Sequence, residues 1–407
     1  MRIGITGDFH LGKSLGARTD DSGVNLRSRD LESAVRQVID GFIRARVDHI
    51  AILGDLFDKA KPPEFARQFL TRELLRYDAA NPRGRKFILR GNHDATASFA
   101  IAATAVGTTA LALPDASFVV ADAYEPRLVE LGEDVAITMV PWMRNDADFL
   151  AAIMGIRPSP GRHNLLFLHA GLSDLAEFAE RCPGSQTLTR ATVPTGFDWI
   201  FSGHFHGRKT FEDLGWTFVG SPERLSSAEV GQEKGFLVYD TDTRHFDFHA
   251  IATRSWYDLG VIDAAKWDGA QLVAELEAMR TGIPDWDEAM VWAKIRHVRP
   301  DVYASYDVAA VRAIKASAFA EDIDIRPQDA LFGDESDDAR ALEGDRPLLD
   351  DLPSEWDRHV EGLDARTPQE RTRILERGLR ELLAASNPAD AAEPVAPAAP
   401  EAAPLEV

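Results

Sequence analysis

Short apolar runs alternate with longer amphipathic segments through the first half of the chain. Residues 31–46 and 64–77 carry apolar side chains about every 3.6 positions, a spacing typical of helices with one buried face. The alternation of short runs with such helices predicts an α/β protein built on a sheet. The predicted strands are residues 2–6, 49–53, 86–89, 135–140, 164–168 and 199–201.

The pattern changes after residue 201, where strand-like runs follow one another without long helical segments between them. Residues 217–219 and 235–240 are predicted strands joined by a turn-rich loop. Residues 245–251 and 255–261 suggest further strands in antiparallel pairs. We therefore expect a mixed sheet, or a sandwich of two sheets, over residues 1–250.

A second unit is predicted over residues 251–330, where helices and strands alternate again. Its order indicates a small α+β module, with helix 264–279, strand 289–296, helix 308–318 and strand 322–325.

The remaining residues predict no large core. Residues 331–387 form an acidic linker followed by a helix, for which Thr367 at the N-cap and Glu370 three residues later are a start signal. Residues 388–407 are rich in Ala, Pro and Glu, a composition that predicts a disordered tail.

The charge of the chain is unevenly distributed. Its formal net charge is −21, which by itself argues against a surface made for nucleic acid. Residues 321–407 hold 23 acidic and 9 basic residues, so they contribute −14, and the first 320 residues contribute −7. The acidity therefore belongs mainly to the C-terminal quarter and does not exclude a phosphodiester substrate for the rest.

Composition also bears on location. The single cysteine, Cys182, excludes an internal disulfide framework and favours a reducing compartment. The most apolar window, residues 99–113, is shorter than the roughly 20 residues that a membrane span needs, so we interpret it as a buried core segment. No signal peptide is recognisable, and we expect a cytoplasmic protein without membrane contact.

Histidine, aspartate and asparagine residues cluster just after the predicted strands. Because the loops at the carboxyl ends of strands converge on one crevice in an open α/β sheet, five strand ends bring these groups together. Glycines precede most of the groups and are expected to let the backbone turn sharply there. The groups are Asp8, His10, Asp55, Asn92, His93, His169, His204 and His206.

This cluster has carboxylate, imidazole and amide groups but no thiolate, which suits Mn, Fe or Zn at open sites better than closed structural zinc. These eight groups are too many for one ion, whereas two ions about 3.5–4 Å apart that share a carboxylate would use seven of them as ligands. Such a pair activates water and neutralises charge on phosphoryl oxygens. Any single histidine of the set could be structural, but the five-part pattern predicts a two-metal phosphoesterase.

The motifs resemble those of the calcineurin-like metallophosphoesterase superfamily, whose pattern is Asp-x-His, Gly-Asp, Gly-Asn-His-Asp/Glu, a lone His and Gly-His-x-His. Every element occurs here in order over residues 7–206. The resemblance implies an α/β (α+β) fold, a four-layer sandwich of mixed β-sheets flanked by helices.

The resemblance also implies roles for the clustered residues. One metal is bound by Asp8, His10, Asp55 and His206, and the other by Asp55, Asn92, His169 and His204. His93 is implied to be the general acid, or to steady the phosphate, and Asp94 to orient His93.

Flanking motifs at residues 10–12, 54–63, 220–226 and 233–236 narrow the resemblance to SbcD-type DNA-repair nucleases. For residues 251–330 this implies a capping domain that helps to hold DNA over the metals. It also implies a homodimer that works with an SbcC-type, SMC-like ATPase, on which the helix after Thr367 docks. An ordinary helix packed on its own domain is the alternative for that segment.

The resemblance thus implies a metal-dependent nuclease of DNA repair and recombination. Mn²⁺ is the expected metal, with Mg²⁺, Fe²⁺ or Zn²⁺ as alternatives, and 3′–5′ exonuclease activity is expected, with endonuclease activity left open. Arg90 and Arg224, next to the motifs, are the expected phosphate contacts. The competing hypotheses are a phosphatase or cyclic-nucleotide phosphodiesterase on the same scaffold, and a scaffold without catalysis.

Overall fold

The computed structural model describes residues 1–16, 18–94, 117–121, 124–173 and 186–327. All of these fall in one compact unit, Met1–Gly344. The apolar window 99–113, Cys182, the acidic linker, the helix predicted from Thr367 and the tail lie outside the described residues.

The first sheet has six strands in the described part of the chain. They are β1 (Arg2–Thr6), β2 (His49–Ile52), β3 (Lys86–Leu89), β4 (Phe118–Ala121), β13 (Gly235–Asp240) and β14 (His245–Ala250). Strands β1 to β4 run parallel, β13 lies antiparallel to β1, and β14 lies antiparallel to β13, in the order β14-β13-β1-β2-β3-β4.

The second sheet also has six strands among the described residues. They are β5 (Arg127–Leu131), β6 (Val135–Val140), β7 (His163–His169), β10 (Trp199–Gly203), β11 (Lys209–Phe211) and β12 (Trp216–Phe218), in the order β11-β12-β10-β7-β6-β5. The inner strands β6, β7, β10 and β12 are parallel, and the two outer strands pair antiparallel with their neighbours. A separate parallel pair joins β8 (Gly171–Leu172) to β9 (Thr187–Leu188).

Alternation of side chains along the strands produces four layers. Ile3 of β1 and Phe167 of β7 belong to the core between the two sheets, because residues two apart in a strand share a face. The outer face of the first sheet packs against α1 (Leu26–Ala45) and α2 (Glu64–Ala80), and the outer face of the second against α3 (Asp146–Gly155). The expected four-layer sandwich of mixed sheets and helices is confirmed.

The chain after the sandwich forms a three-stranded sheet with its own core. Its elements are β15 (Trp256–Asp263), α4 (Gly269–Gly282), β16 (Met290–Val298), α5 (Pro300–Tyr303), α6 (Val308–Ser317) and β17 (Ala320–Pro327). All of the strand pairings are parallel, so the antiparallel pairing expected for residues 255–261 was wrong. The physical reason is that helices in each connection return the chain to the same end of the sheet.

Arg254 lies where the sandwich meets this second module. Its guanidinium donates to both carboxylate oxygens of Asp30 on α1, at 2.7 and 2.8 Å, and to Glu288 at 2.8 Å. It also lies 3.5 Å from the centre of the Phe319 ring. A cation thus links α1 to two segments of the second module.

Within the described segments, no helix combines the length and the apolar character that crossing a bilayer requires.

Candidate metal centre

Five strands from both sheets end at one site. β1, β2 and β3 of the first sheet are followed by Asp8 and His10, by Asp55, and by Asn92 and His93. In the second sheet, β7 ends at His169, and β10 is followed by His204 and His206. The sandwich therefore places the carboxyl ends of parallel strands from two sheets side by side.

Ligand atoms of Asp8, His10 and His206 lie within 4.8 Å of one another, and so do those of Asp55, His169 and His204. Each set could hold one cation. Both groups consist of residues that the sequence predicts to be metal ligands.

Asp55 stands between the two groups. Its Oδ2 lies 3.5 Å from His10 Nε2 and 3.3 Å from His169 Nε2, which is the position that a bridging carboxylate needs. Asn92 joins the second group, because its Oδ1 lies 2.9 Å from His169 Nε2.

The residues present fit divalent cations. Asp8, Asp55 and His169 are almost wholly buried, so their polar atoms have little access to water. His10 Nε2 is buried and has no hydrogen-bond partner among the described residues. Burying a polar atom without a partner costs free energy, and a bound cation would supply that partner. A buried imidazole nitrogen that lies beside carboxylates and has no hydrogen-bond partner is therefore suited to bind a metal.

The ionisation of the cluster supports the same interpretation. Burial raises the pKa of Asp8 to about 6. Burial also acts to raise the pKa of Asp55, but the imidazoles of His169 and His93 outweigh it and hold that pKa well below its ordinary value. Burial alone would lower the pKa of His169, yet Asp55 and Asp8 raise it to about 9. Buried negative charge is thus balanced by a proton on His169, which a cation at this site can replace.

Two of the histidines are oriented by hydrogen bonds at Nδ1. His169 Nδ1 donates to the carbonyl oxygen of Leu53 at 2.7 Å, and His206 Nδ1 donates to Glu229 Oε1 at 3.3 Å. His10 Nδ1 lies 3.4 Å from Asp58 Oδ1 but forms no hydrogen bond among the described residues. The hydrogen bonds of His169 and His206 are of the kind that fixes the tautomer and the ring plane of metal-binding histidines and leaves Nε2 for the metal.

Sequence reasoning assigned no role to Asp58 or Glu229, although both contact predicted ligands. Asp58 follows Asp55 by three residues in one motif, and that position could have singled it out. Glu229 ends a short 3-10 helix, Ser227–Glu229, 23 residues after His206, and no spacing pattern connects the two.

His93 lies beside the ligands and is held at two points. Its backbone N–H donates to Asp55 Oδ1 at 2.9 Å, and its Nδ1 donates to the carbonyl oxygen of Asp58 at 2.7 Å. A ring nitrogen of His93 lies within 4.8 Å of ligand atoms of His10 and Asp55. Because a carbonyl oxygen only accepts, the Nδ1 atom of His93 carries a hydrogen.

Asp94 is used differently from our expectation. Its buried carboxylate accepts from the backbone N–H groups of Leu56 at 3.1 Å, Phe57 at 3.2 Å and Gly91 at 3.1 Å. Burial raises the pKa of Asp94 to about 7. The carboxylate therefore joins the loop after β2 to the loop after β3, whereas the ring of His93 is oriented by the Asp58 carbonyl.

The backbone at the centre adopts unusual conformations. We expected glycines to make the turns, but Asp8, Asp55 and His204 are themselves left-handed, with φ of 53°, 49° and 81°. Gly91 and Gly203 are required for a different reason, because a side chain at either position would collide with its neighbours. An added Cβ would lie 2.1 Å from Asp55 Oδ1 at Gly91 and 2.2 Å from the Leu53 carbonyl oxygen at Gly203.

The two arginines predicted to contact phosphate have protein contacts. The Arg90 guanidinium lies 4.6 Å from the ring centre of Tyr124, and its side chain is largely buried. Arg224 donates to Thr253 Oγ1 at 2.6 Å and to the carbonyl oxygens of Gln232 and Arg254 at 2.7 and 3.2 Å. These contacts indicate that Arg224 ties its loop to the start of the second module.

A family model described as calcineurin-like phosphoesterase matches residues 1–208. The chain is 29% identical over 233 residues to a DNA double-strand break repair protein Mre11 of Sulfurisphaera tokodaii, covering 56% of this chain and 55% of that protein. It is 25% identical over 281 residues to the SbcD component of the nuclease SbcCD of Bacillus subtilis, covering 59% and 66%. The chain thus spans between half and two thirds of the length of these relatives.

Solved structures give a weaker likeness. A dimetal phosphatase from Danio rerio aligns with a TM-score of 0.31 and 11% identity, over 58% of this chain and 91% of that one. A TM-score this low supports no conclusion about function.

Proposed function

Because the chain belongs to the calcineurin-like phosphoesterase family, as its motifs predicted, we propose that it is a metal-dependent DNA nuclease. The observation that carries the proposal is the pair of ligand groups that share Asp55, with His93 beside them. The reaction is hydrolysis of a phosphodiester bond, in the 3′–5′ exonuclease direction and with endonuclease activity as a second mode.

The proposal keeps the division of metal ligands that the sequence predicts. Asp8, His10 and His206 would hold one cation, Asn92, His169 and His204 would hold the other, and Asp55 would serve both, which the two ligand groups and the Asn92–His169 contact support. Two divalent cations at such a site, which we propose to be Mn²⁺, lower the pKa of a bound water and neutralise phosphoryl charge.

His93 acts on the leaving group. With Nδ1–H held by the Asp58 carbonyl, the protonated ring offers Nε2–H to the departing oxygen and stays in place while it does so. Asp94 acts indirectly, since it fixes the loops that carry Asp55 and Asn92. Arg90 remains a proposed phosphate contact, whereas we do not include Arg224, because the protein already uses its guanidinium.

The substrate and the partners are proposed from the relatives, whose names are those of nuclease and double-strand break repair proteins. We propose DNA as substrate, a role in repair and recombination in the cytoplasm, a homodimer, and an SbcC-type ATPase as partner. We also propose that residues 251–330 form the capping domain and that the helix predicted from Thr367 docks on the ATPase.

The test is digestion of end-labelled duplex DNA in Mn²⁺ by the wild type and by His93→Ala. General acid–base catalysis contributes about 10²–10⁴-fold, so the variant should cleave at least about 100-fold more slowly while binding Mn²⁺ normally. Equal cleavage by both proteins would refute the role of His93. Absence of cleavage by the wild type, with and without an ATPase partner, would refute the nuclease proposal.

A phosphatase or cyclic-nucleotide phosphodiesterase is the second candidate, because the same ligand arrangement serves both reactions. The substrates separate them. A nuclease should turn over DNA and bis(p-nitrophenyl) phosphate but not p-nitrophenyl phosphate, and a phosphomonoesterase should show the reverse preference.

A further inference from the structure

We propose that a buried ion pair, Glu229 with Lys234, positions the metal ligand His206 from outside the metal centre. The inference deepens the proposed function and rests on its assignment of His206 as a ligand. Glu229 lies outside every motif named above, Lys234 lies in the flanking motif 233–236, and both lie beyond residues 1–208, which the family model matches.

Glu229 holds the side chain of His206. Its Oε1 accepts from His206 Nδ1 at 3.3 Å, and the same carboxylate oxygen accepts from Leu225 N at 3.2 Å and from Ser226 Oγ at 3.1 Å. Glu229 is only 4% exposed, so solvent does not compete for its carboxylate. The loop contacts fix the carboxylate, and the carboxylate fixes the imidazole.

Lys234 holds the backbone of the same ligand. Its Nζ donates to the carbonyl oxygen of His206 at 2.9 Å, to Ser221 Oγ at 3.1 Å, and to Glu229 Oε2. Ser221 adds a backbone hydrogen bond from its N–H to the same His206 carbonyl at 3.0 Å. The pair therefore grips one residue at both its ring and its main chain.

Burying the Glu229–Lys234 ion pair costs desolvation free energy, so stability alone does not explain it. Removing two charges from water carries a desolvation penalty that an ion pair often only just offsets, so the pair is weak evidence for stability. A carboxylate that accepts from Nδ1 of a metal-binding imidazole aligns the ring and fixes its tautomer, and losing it typically weakens metal binding about 10–100-fold. We infer that tighter metal binding through His206 is the reason for this buried ion pair.

The same loop offers a matched control. Glu223 is also buried, at 2% exposure, and its Oε1 lies 3.2 Å from Arg27 Nη2. The same oxygen accepts from Arg224 N at 2.8 Å, so the carboxylate is held by two arginines and not by a metal ligand. Glu223→Gln therefore tests the loss of a buried charge in this loop without the link to His206.

The experiment is calorimetric titration of the metal-free full chain with Mn²⁺, together with its melting temperature. Glu229→Gln should weaken one of the two Mn²⁺ sites by about 10–100-fold and leave the other unchanged. Glu223→Gln should lower the melting temperature of the metal-free protein to a similar degree but bind Mn²⁺ as the wild type does. Equal Mn²⁺ binding by Glu229→Gln and wild type, or an equal loss of Mn²⁺ affinity in Glu229→Gln and Glu223→Gln, would overturn the proposal.

A double variant guards against misfolding, because Glu229→Gln leaves the Lys234 charge without its carboxylate. Glu229→Gln with Lys234→Met removes both charges, and it should fold, restore the melting temperature and still bind one Mn²⁺ more weakly. Recovery of wild-type Mn²⁺ affinity would show that the pair serves stability alone. Since none of these readouts uses DNA, a failed nuclease assay would refute the proposed function without affecting this result.

Discussion

At the scale of single residues, the candidate metal centre has backbone conformations and buried charges that reduce stability. Asp8, His10, Asp55 and His204 hold left-handed backbone conformations, which cost a non-glycine residue on the order of 1 kcal/mol or more each. Asp8 and Asp55 also bring two buried carboxylates close together. The surrounding strands impose this arrangement, and a bound cation would offset the negative charge of the two carboxylates.

Asp55→Asn tests the shared carboxylate directly. Asn keeps the size of the side chain and an oxygen that can accept from His93 N, but it removes the charge that both ligand groups share. We expect both Mn²⁺ sites to weaken, and phosphodiester hydrolysis to fall at least about 100-fold, because cation catalysis supplies several kcal/mol. Calorimetry gives the affinity and turnover of bis(p-nitrophenyl) phosphate gives the rate.

Thermal shift gives an independent readout of the same variant. A cation that binds only the folded state raises its melting temperature, so Mn²⁺ should stabilise the wild type and have little effect on Asp55→Asn. Asp198→Asn is the control, since Asp198 accepts from Asn164 N at the opposite ends of β7 and β10. If Asp55→Asn responds to Mn²⁺ as strongly as Asp198→Asn, Asp55 does not bridge.

The proposed ligands could be picked out from the sequence because each lies within four residues of the end of an apolar strand. That local pattern is enough when parallel strands converge. The partners of the ligands could not be found in this way. Glu229 and Lys234 come close to His206 only when the chain between them is folded. The guanidinium of Arg224 is hydrogen-bonded to the protein itself, which its position next to a motif did not reveal.

At the scale of elements, a strong apolar pattern in the sequence predicted the ends of strands and helices accurately, and elements with a weak apolar pattern were not predicted. β1, β3, β6 and β13 begin and end where the apolar runs predicted. α1 begins at Leu26, before the predicted residue 31, because Asn25 caps it: its side chain accepts from Arg27 N. β5 and α3 were missed, since each has few buried positions and therefore a weak apolar pattern.

Helix α4 depends on its first turn more than on its apolar pattern. Asp268 Oδ1 accepts from Gln271 N at 2.8 Å, and Gln271 Oε1 accepts from Asp268 N at 2.9 Å, so two backbone donors are satisfied reciprocally. Asp268→Ala should lower the free energy of unfolding by about 1 kcal/mol. Urea unfolding followed by tryptophan fluorescence measures it.

The control for that change is on the same helix. Glu275 is exposed on α4, and Glu275→Ala should alter the free energy of unfolding by no more than about 0.5 kcal/mol, as surface substitutions usually do. A larger effect at Glu275 than at Asp268 would mean that the capping box does not stabilise the helix.

At the scale of the whole described molecule, the second module is joined to the sandwich by a few strong contacts. Trp256, Met290 and Phe319 form a small buried cluster at the junction, with Leu26 of α1 packed against it. Arg27 lies 5.1 Å from the Trp256 ring centre, and Arg18 donates to the carbonyl oxygens of Asp287 and Ser317 at 3.0 and 3.3 Å. The chain after His10 thus runs from the metal centre to the second module, which no sequence pattern indicated.

Arg254 forms ion pairs with both Asp30 and Glu288 at this junction, and Arg254→Met measures how much they stabilise the protein. Met retains much of the packing on Phe319 but loses the bonds to Asp30 and Glu288. Asp30 keeps Arg27 as a partner at 3.1 Å, so the loss should stay below the roughly 3–5 kcal/mol of a broken buried pair. We expect a loss of about 2 kcal/mol in the free energy of unfolding, the value of hydrogen bonds to charged groups, measured in urea.

The control variant is Arg280→Met, which removes an exposed ion pair with Glu277 inside α4. Exposed pairs contribute about 0.2–1 kcal/mol, so this variant should lose much less stability than Arg254→Met. Limited proteolysis adds a second readout, because a loosened junction exposes residues 251–255 to cleavage while the cores of both parts stay protected. Equal stability and equal cleavage in the two variants would mean that the apolar cluster alone, and not Arg254, holds the second module against α1.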